Sequence, residues 1–175
     1  MKYISILLMS LLFVCCKNES KQGEIAKKRI FPSHNYNYVS IDNNKVKYSE
    51  TIYLPVYSDI YQQDGTKRYP ITITVSIRNT SLTDSAYIQS TSYYDSYGKI
   101  LQSYVDSTIL ISPLESIEFV VEEKEDLGGA GANFIIEWAA TKYADQILIQ
   151  AVMVNAFNGF SFQTNSKIIK KEIRE

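Results

Sequence analysis

The sequence predicts an all-β protein, an antiparallel immunoglobulin-like sandwich of about eight strands behind a signal segment and a polar tether. Three observations predict it. "PITITVSIRNT" alternates without a break: Ile71, Ile73, Val75 and Ile77 face one way, and Thr72, Thr74, Ser76 and Arg78 the other. That period of two gives a strand one buried and one wet face. Turn signals recur at Asp64-Gly65, Asp95–Gly98, the glycines near 130 and Asn158-Gly159. Fourteen tyrosines against one tryptophan and seven glycines suit pleated surfaces, which favour aromatic side chains. No long segment of helical period follows residue 16. The alternative architecture is a closed barrel.

The N-terminus supplies an address. Lys2 precedes an apolar run, Ile4 to Val14, which ends on Cys15-Cys16 and polar Lys17–Ser20. Such a run is about half of the ~20 residues a spanning helix needs, so it reads as the apolar part of a signal peptide. The pattern resembles a bacterial lipoprotein signal. Residues 1–15 are then removed, Cys15 supplies the small residue before the cut, and Cys16 becomes the lipidated N-terminus. Stable attachment follows from acyl chains, with no polybasic second anchor. Both cysteines lie in this segment, so the exported domain has neither a disulfide nor a thiol nucleophile.

Residues 16–48 read as a tether. Polar residues dominate and the apolar ones follow no period, so nothing there is expected to bury a face. Lys27-Lys28-Arg29 is expected to be part of this solvated linker, the alternative being a cluster that rests on anionic lipid headgroups. The domain is expected over 49–170, with 171–175 a C-terminal tail.

The strands follow in order. "TIYLPVYSDIY" alternates, but Pro55 has no N–H for a ladder, so this is an edge strand or one that breaks and changes sheet. "QQDGT" is a turn and "PITITVSIRNT" a half-buried strand. "AYIQSTSYYDSYGKILQSYV" is a hairpin with Gly98 placed for positive φ; Tyr87 and Tyr93 are expected on one face and Tyr94 on the other. "SPLESIEFVVEE" buries Ile117, Phe119 and Val121. "ANFIIEW", "QILIQAVMVNA" and "FSFQTNSKII" complete the set, with one helical turn expected within "AATKYADQ". The cysteine pair of antibody domains is absent, which leaves Trp138 to plug the core.

Five stretches carry a family likeness: "IYLPVYSDIY", "TVSIRNT", "YYDSYGK", "FVVEEKEDLGGAGANFIIEW" and "AVMVNAFNGFSF". Together they resemble the bacterial family of unknown function DUF3124, from about Thr51 to Ile168. The resemblance implies exported or lipid-anchored proteins. It implies no activity or ligand and supplies no catalytic residue.

The chemistry-bearing residues are few. Formal net charge is −1 overall. With Lys2 lost alongside the signal, 17 of the 18 basic residues face 19 acids, which argues against a nucleic-acid partner. The one histidine, His34, lies in the tether, so a histidine-based metal cage or triad lacks its central part. An enzyme would rest on carboxylates, with Glu122, Glu123, Asp126 and Glu137 available. No catalytic residue, metal or cofactor is assigned.

The most distinctive stretch is the acidic-glycine loop, with Glu122, Glu123, Asp126, Gly128, Gly129, Gly131 and Asn133. Its expected role is structural: Glu122 and Glu123 end one strand, Phe134 starts the next, and glycines allow a tight reversal. A second reading makes it a partner loop offering backbone amides. A third is a Ca²⁺ site with oxygen ligands from Glu122, Glu123, Glu125, Asp126 and Asn133, against which Lys124 sets a positive charge. The expected function is a lipid-anchored module of the bacterial cell envelope, binding a protein or glycan there. The alternative is a small carboxylate-dependent envelope hydrolase.

Overall fold

The structure, a computed structural model, describes residues 35–124, 126–142 and 146–175. Cys16 and His34 lie outside them, as does part of the stretch expected to form a helical turn. The described strands are β1 (Asn37–Tyr38), β2 (Tyr48–Pro55), β3 (Asp59–Gln62), β4 (Lys67–Pro70), β5 (Thr72–Asn79), β6 (Ala86–Tyr94) and β7 (Ile100–Val105). They continue as β8 (Ile109–Ile111), β9 (Ser116–Val121), β10 (Asn133–Ala140), β11 (Ile147–Asn155), β12 (Phe160–Asn165) and β13 (Lys167–Ile173). Four of them, β1, β3, β4 and β8, have four residues or fewer, and the single arm expected over "FSFQTNSKII" is two strands, β12 and β13, in different sheets; these account for the excess over about eight.

Two antiparallel sheets make the sandwich. One has the order β1-β8-β6-β10-β2-β13, with β7 also paired to β6; the other is β12-β11-β5-β9. Neither closes into a barrel. The inner faces share one core. Ile71, Ile73, Val75, Ile77, Ile117, Phe119, Val121, Ile149, Ala151 and Met153 come from the smaller sheet and its entry; Ile52, Leu54, Ile88, Phe134, Ile136 and Trp138 come from the larger. The alternation expected for 71–77, and for Ile117, Phe119 and Val121, is the observed one.

Pro55 marks a change of sheet. β2 lies between β10 and β13, and its ladder ends at Pro55, where an N–H is missing. The Pro55 carbonyl accepts from Thr164 Oγ1 at 2.6 Å. The chain then forms the separate β3–β4 hairpin before entering the smaller sheet as β5.

Three expectations need correction. The stretch before 49 is not all tether. β1 pairs with β8, Tyr36 packs on Phe119 at 6.0 Å, and Val46 and Tyr48 are buried. Scattered apolar residues can be buried singly without making a periodic face. The tail at 171–175 is not free either: β13 runs through Ile173, with Lys171 opposite Glu50 and Ile173 opposite Tyr48. Tyr87 and Tyr93 do not share a face. Glu137 pairs with Ser90 and Trp138 with Ile88, so Gln89 is an extra residue. This bulge switches the parity, leaving Tyr93 buried and Tyr87 half-buried.

Candidate functional site

The acidic-glycine loop joins β9 of the smaller sheet to β10 of the larger. It is therefore a crossover between sheets, not the expected tight reversal within one. At its start Glu122 is half-buried and Glu123 exposed. Lys124 Nζ lies 2.8 Å from a Glu122 oxygen, so the local cation neutralises one proposed Ca²⁺ ligand. The side chains of Glu125 and Asp126 lie outside the described residues. Among the described residues no three Asp, Glu, His or Cys side chains converge on one point. At the far end Asn133 opens β10, paired with Pro55 and Tyr94.

The glycines serve three purposes. Gly129 takes φ +79°, a conformation that suits glycine. Gly128 is needed for space: a Cβ there would lie 1.9 Å from Tyr93 Oη and 2.9 Å from Ala132 Cβ. Gly131 lets the chain pass Ser96, with a Cβ landing 3.1 Å from its Oγ. The sequence marked all three as special, but only Gly129 is so for its dihedral angle.

Two serines hold this backbone. Ser58 Oγ accepts from Gly129 N at 2.6 Å, and Ser58 N donates to the Gly129 carbonyl at 3.2 Å. Ser96 Oγ accepts from Gly131 N at 2.9 Å and donates to the Gly128 carbonyl at 3.0 Å; Ser96 N reaches that carbonyl at 2.9 Å. The amides of Gly129 and Gly131 are thus spent inside the molecule. Neither serine was singled out from sequence, since the partnership spans separations of 71 and 35 residues.

Around the braced loop three connections meet. The β3–β4 hairpin contributes Tyr61 and Arg68, the β6–β7 turn Ser96 and Tyr97, and the loop itself Leu127 to Gly131. They line a cavity of about 290 Å³. Arg68 is fixed by Asp59, which is buried: Nη2 reaches Oδ1 and Oδ2 at 2.6 Å, and Nε reaches Oδ1 at 3.0 Å. The guanidinium also lies 5.2 Å from the Tyr61 ring centre. Tyr61 is still 60% exposed, Leu127 78% and Tyr97 95%. This is a rigid frame that holds large apolar groups out to water.

The family model described as a protein of unknown function, DUF3124, matches residues 49–169, from the second residue of β2 into β13. The chain belongs to the DUF3124 family. No curated protein and no solved structure matches it. The DUF3124 match takes in every wall of the cavity, whereas Tyr36, Val46 and Tyr48 lie before it.

A second cluster lies inside this DUF3124 sandwich. Glu50 points into the core, at 4% exposure, because it shares the inward register with Tyr48, Ile52 and Leu54. Its carboxylate accepts from Tyr48 Oη and, at 2.9 Å, from Trp138 Nε1. Lys171 of β13 stands 3.8 Å away and 4.9 Å from the Tyr48 ring centre. Burial, then the hydrogen bond to Glu50, pushes the Tyr48 phenol up to about 12. The sequence carried a signal for this cluster, an acid at an inward position of an alternating strand, but the domain start was placed one residue past Tyr48.

Of the acids considered for hydrolysis, Glu137 stands apart from Glu122 and Glu123. Glu137 projects from the outer face of β10, where Ser90 Oγ donates to it at 2.8 Å. The hollow beside Glu137 is lined by Glu50, Lys170, Glu172 and Arg174, and by neither Glu122 nor Glu123. Lys170 holds the Glu172 carboxyl below its ordinary value, as a hydrogen bond and by charge.

Proposed function

We propose that this DUF3124 protein is a lipid-anchored extracytoplasmic module that binds a protein or glycan at the cell envelope. The observation that carries the binding part is the cavity where Tyr61, Tyr97 and Leu127 stand exposed on a braced backbone. Exposed aromatic groups on a preorganised frame lose little freedom on contact, and tyrosine offers a broad ring with a polar tip. The anchoring part is supported by the apolar run from Ile4 ending on Cys16.

Two experiments test this reading. A photoreactive amino acid placed at Tyr97 in cells is expected to give discrete envelope adducts, while the same group at Gln163, an exposed position on β12, gives none. Equal labelling at both positions, or none at either, would remove the cavity from the proposal. For the anchor, Cys16→Ala is expected to shift the protein from the membrane fraction to the soluble exported fraction, or to stall it as a precursor. Normal processing with unchanged membrane partitioning would sink the lipid anchor and leave the binding module standing.

A further inference from the structure

We infer that the cavity between the β3–β4 hairpin, the β6–β7 turn and the glycine loop takes a short stretch of a neutral glycan. The inference rests on the binding role proposed above and narrows it to a ligand class. The charge arrangement carries the argument. The cation in the cavity wall, Arg68, is neutralised by both oxygens of buried Asp59. The amides of Gly129 and Gly131 are committed to Ser58 and Ser96. An anionic ligand such as a phosphate or carboxylate would want an unspent cation or a nest of open amides, and this cation and these two amides are already committed. A cationic ligand would want an unpaired carboxylate, and among the described residues no acid lines this cavity.

What the wall does present is ring faces and neutral polar groups. Tyr61 and Tyr97 bring aromatic faces, whose negative quadrupole attracts the partly positive C–H groups on the apolar side of a sugar ring. Leu127 extends that apolar surface, while the tyrosine hydroxyls stand ready for sugar hydroxyls. The cavity, about 290 Å³, is at the small end of ligand sites and open to solvent through its exposed rings. It therefore suits a segment of a chain that continues beyond it. A peptide anchored by apolar side chains would leave the hydroxyl-rich rim with less to do, so it stands as an outcome of the test.

Full-length protein in detergent is titrated calorimetrically with neutral glucan, mannan, xylan and chitin oligosaccharides, and with polygalacturonate as an anionic comparison. At least one neutral oligosaccharide is expected to bind with little dependence on salt. Tyr97→Ala should weaken it about tenfold or more, because a stacking face is lost, and Tyr97→Phe should stay within a few-fold. The 95% exposure of Tyr97 keeps its substitution from disturbing the fold, which an unchanged melting midpoint confirms. Tyr61→Ala serves as the second variant. The inference is overturned if no neutral oligosaccharide binds, if both alanine variants bind like wild type, or if the anionic polymer is preferred. Persistent adducts from position 97 in cells, with no neutral glycan bound, would leave the module standing with a protein partner instead.

Discussion

Gly128→Ala is expected to destabilise the protein by about 2–3 kcal/mol, the scale of overpacking a filled site. The new methyl carbon would lie 1.9 Å from Tyr93 Oη and 2.8 Å from Tyr93 Cζ. A flexible side-chain end could swing aside cheaply, but Tyr93 is buried and stacked on Phe134 with ring centres 4.9 Å apart. Moving it would drag the core behind β6 and β10. Ala132 Cβ, at 2.9 Å from the added carbon, closes the other way out. The comparison is Gly98→Ala. Gly98 takes φ +80° but has nothing within 4 Å of an added Cβ, so only backbone strain is felt. That strain is about 1 kcal/mol at the low end of its usual range. Urea denaturation of both variants separates the two causes. A Gly128→Ala cost no greater than that of Gly98→Ala would mean that Tyr93 yields freely and the loop is not braced as described. The same experiment bears on the cavity, because Gly128 to Gly131 are among the residues that line it.

Alternation made the strands legible. Ile71 to Ile77 needed nothing beyond a period of two, and Pro55 narrowed its strand to an edge or a sheet change because a missing N–H is a local fact; the fold selects the sheet change. The failures share a physical cause. The pairing of β1 with β8 and the burial of Tyr36 depend on contacts with β8 and with Phe119, more than 70 residues away in the chain, and no periodicity announces them. The bulge at Gln89 has no glycine or proline to mark it, so parity was carried unbroken from Tyr87 to Tyr93. The candidate site was half-visible in the same sense. Three glycines signalled an unusual backbone. Ser58, Ser96 and the Asp59–Arg68 pair, which determine what that backbone offers a ligand, are ordinary polar residues until the fold brings them together. The structure shows the glycines shaping a crossover between sheets, and the proposed ligand surface lies beside them.

Glu50→Ala is expected to cost more than any change in the loop, about 3–5 kcal/mol, the scale of leaving two buried donors without their charged acceptor. The buried Trp138 indole N–H and Tyr48 hydroxyl would lose their acceptor, and Lys171 its counter-charge. Glu50→Gln keeps an acceptor for Trp138 and should cost only about 1 kcal/mol. If instead Glu50→Ala proves nearly neutral, the carboxylate is a tolerated passenger rather than the tie between β2, β10 and β13. The pH dependence gives an independent check. Tyr48 has its phenol pushed up to about 12 from an ordinary 10. The folded state therefore keeps a proton that the unfolded chain gives up above pH 10. This contribution to stability is fully present below pH 10 and is lost as pH rises towards 12. Wild type should show a falling denaturation midpoint across that window. Tyr48→Phe, less stable at pH 9 because Glu50 loses a donor, should fall less steeply. Parallel slopes for the two proteins would show that the alkaline loss arises elsewhere, and that Tyr48 does not hold its proton against Glu50.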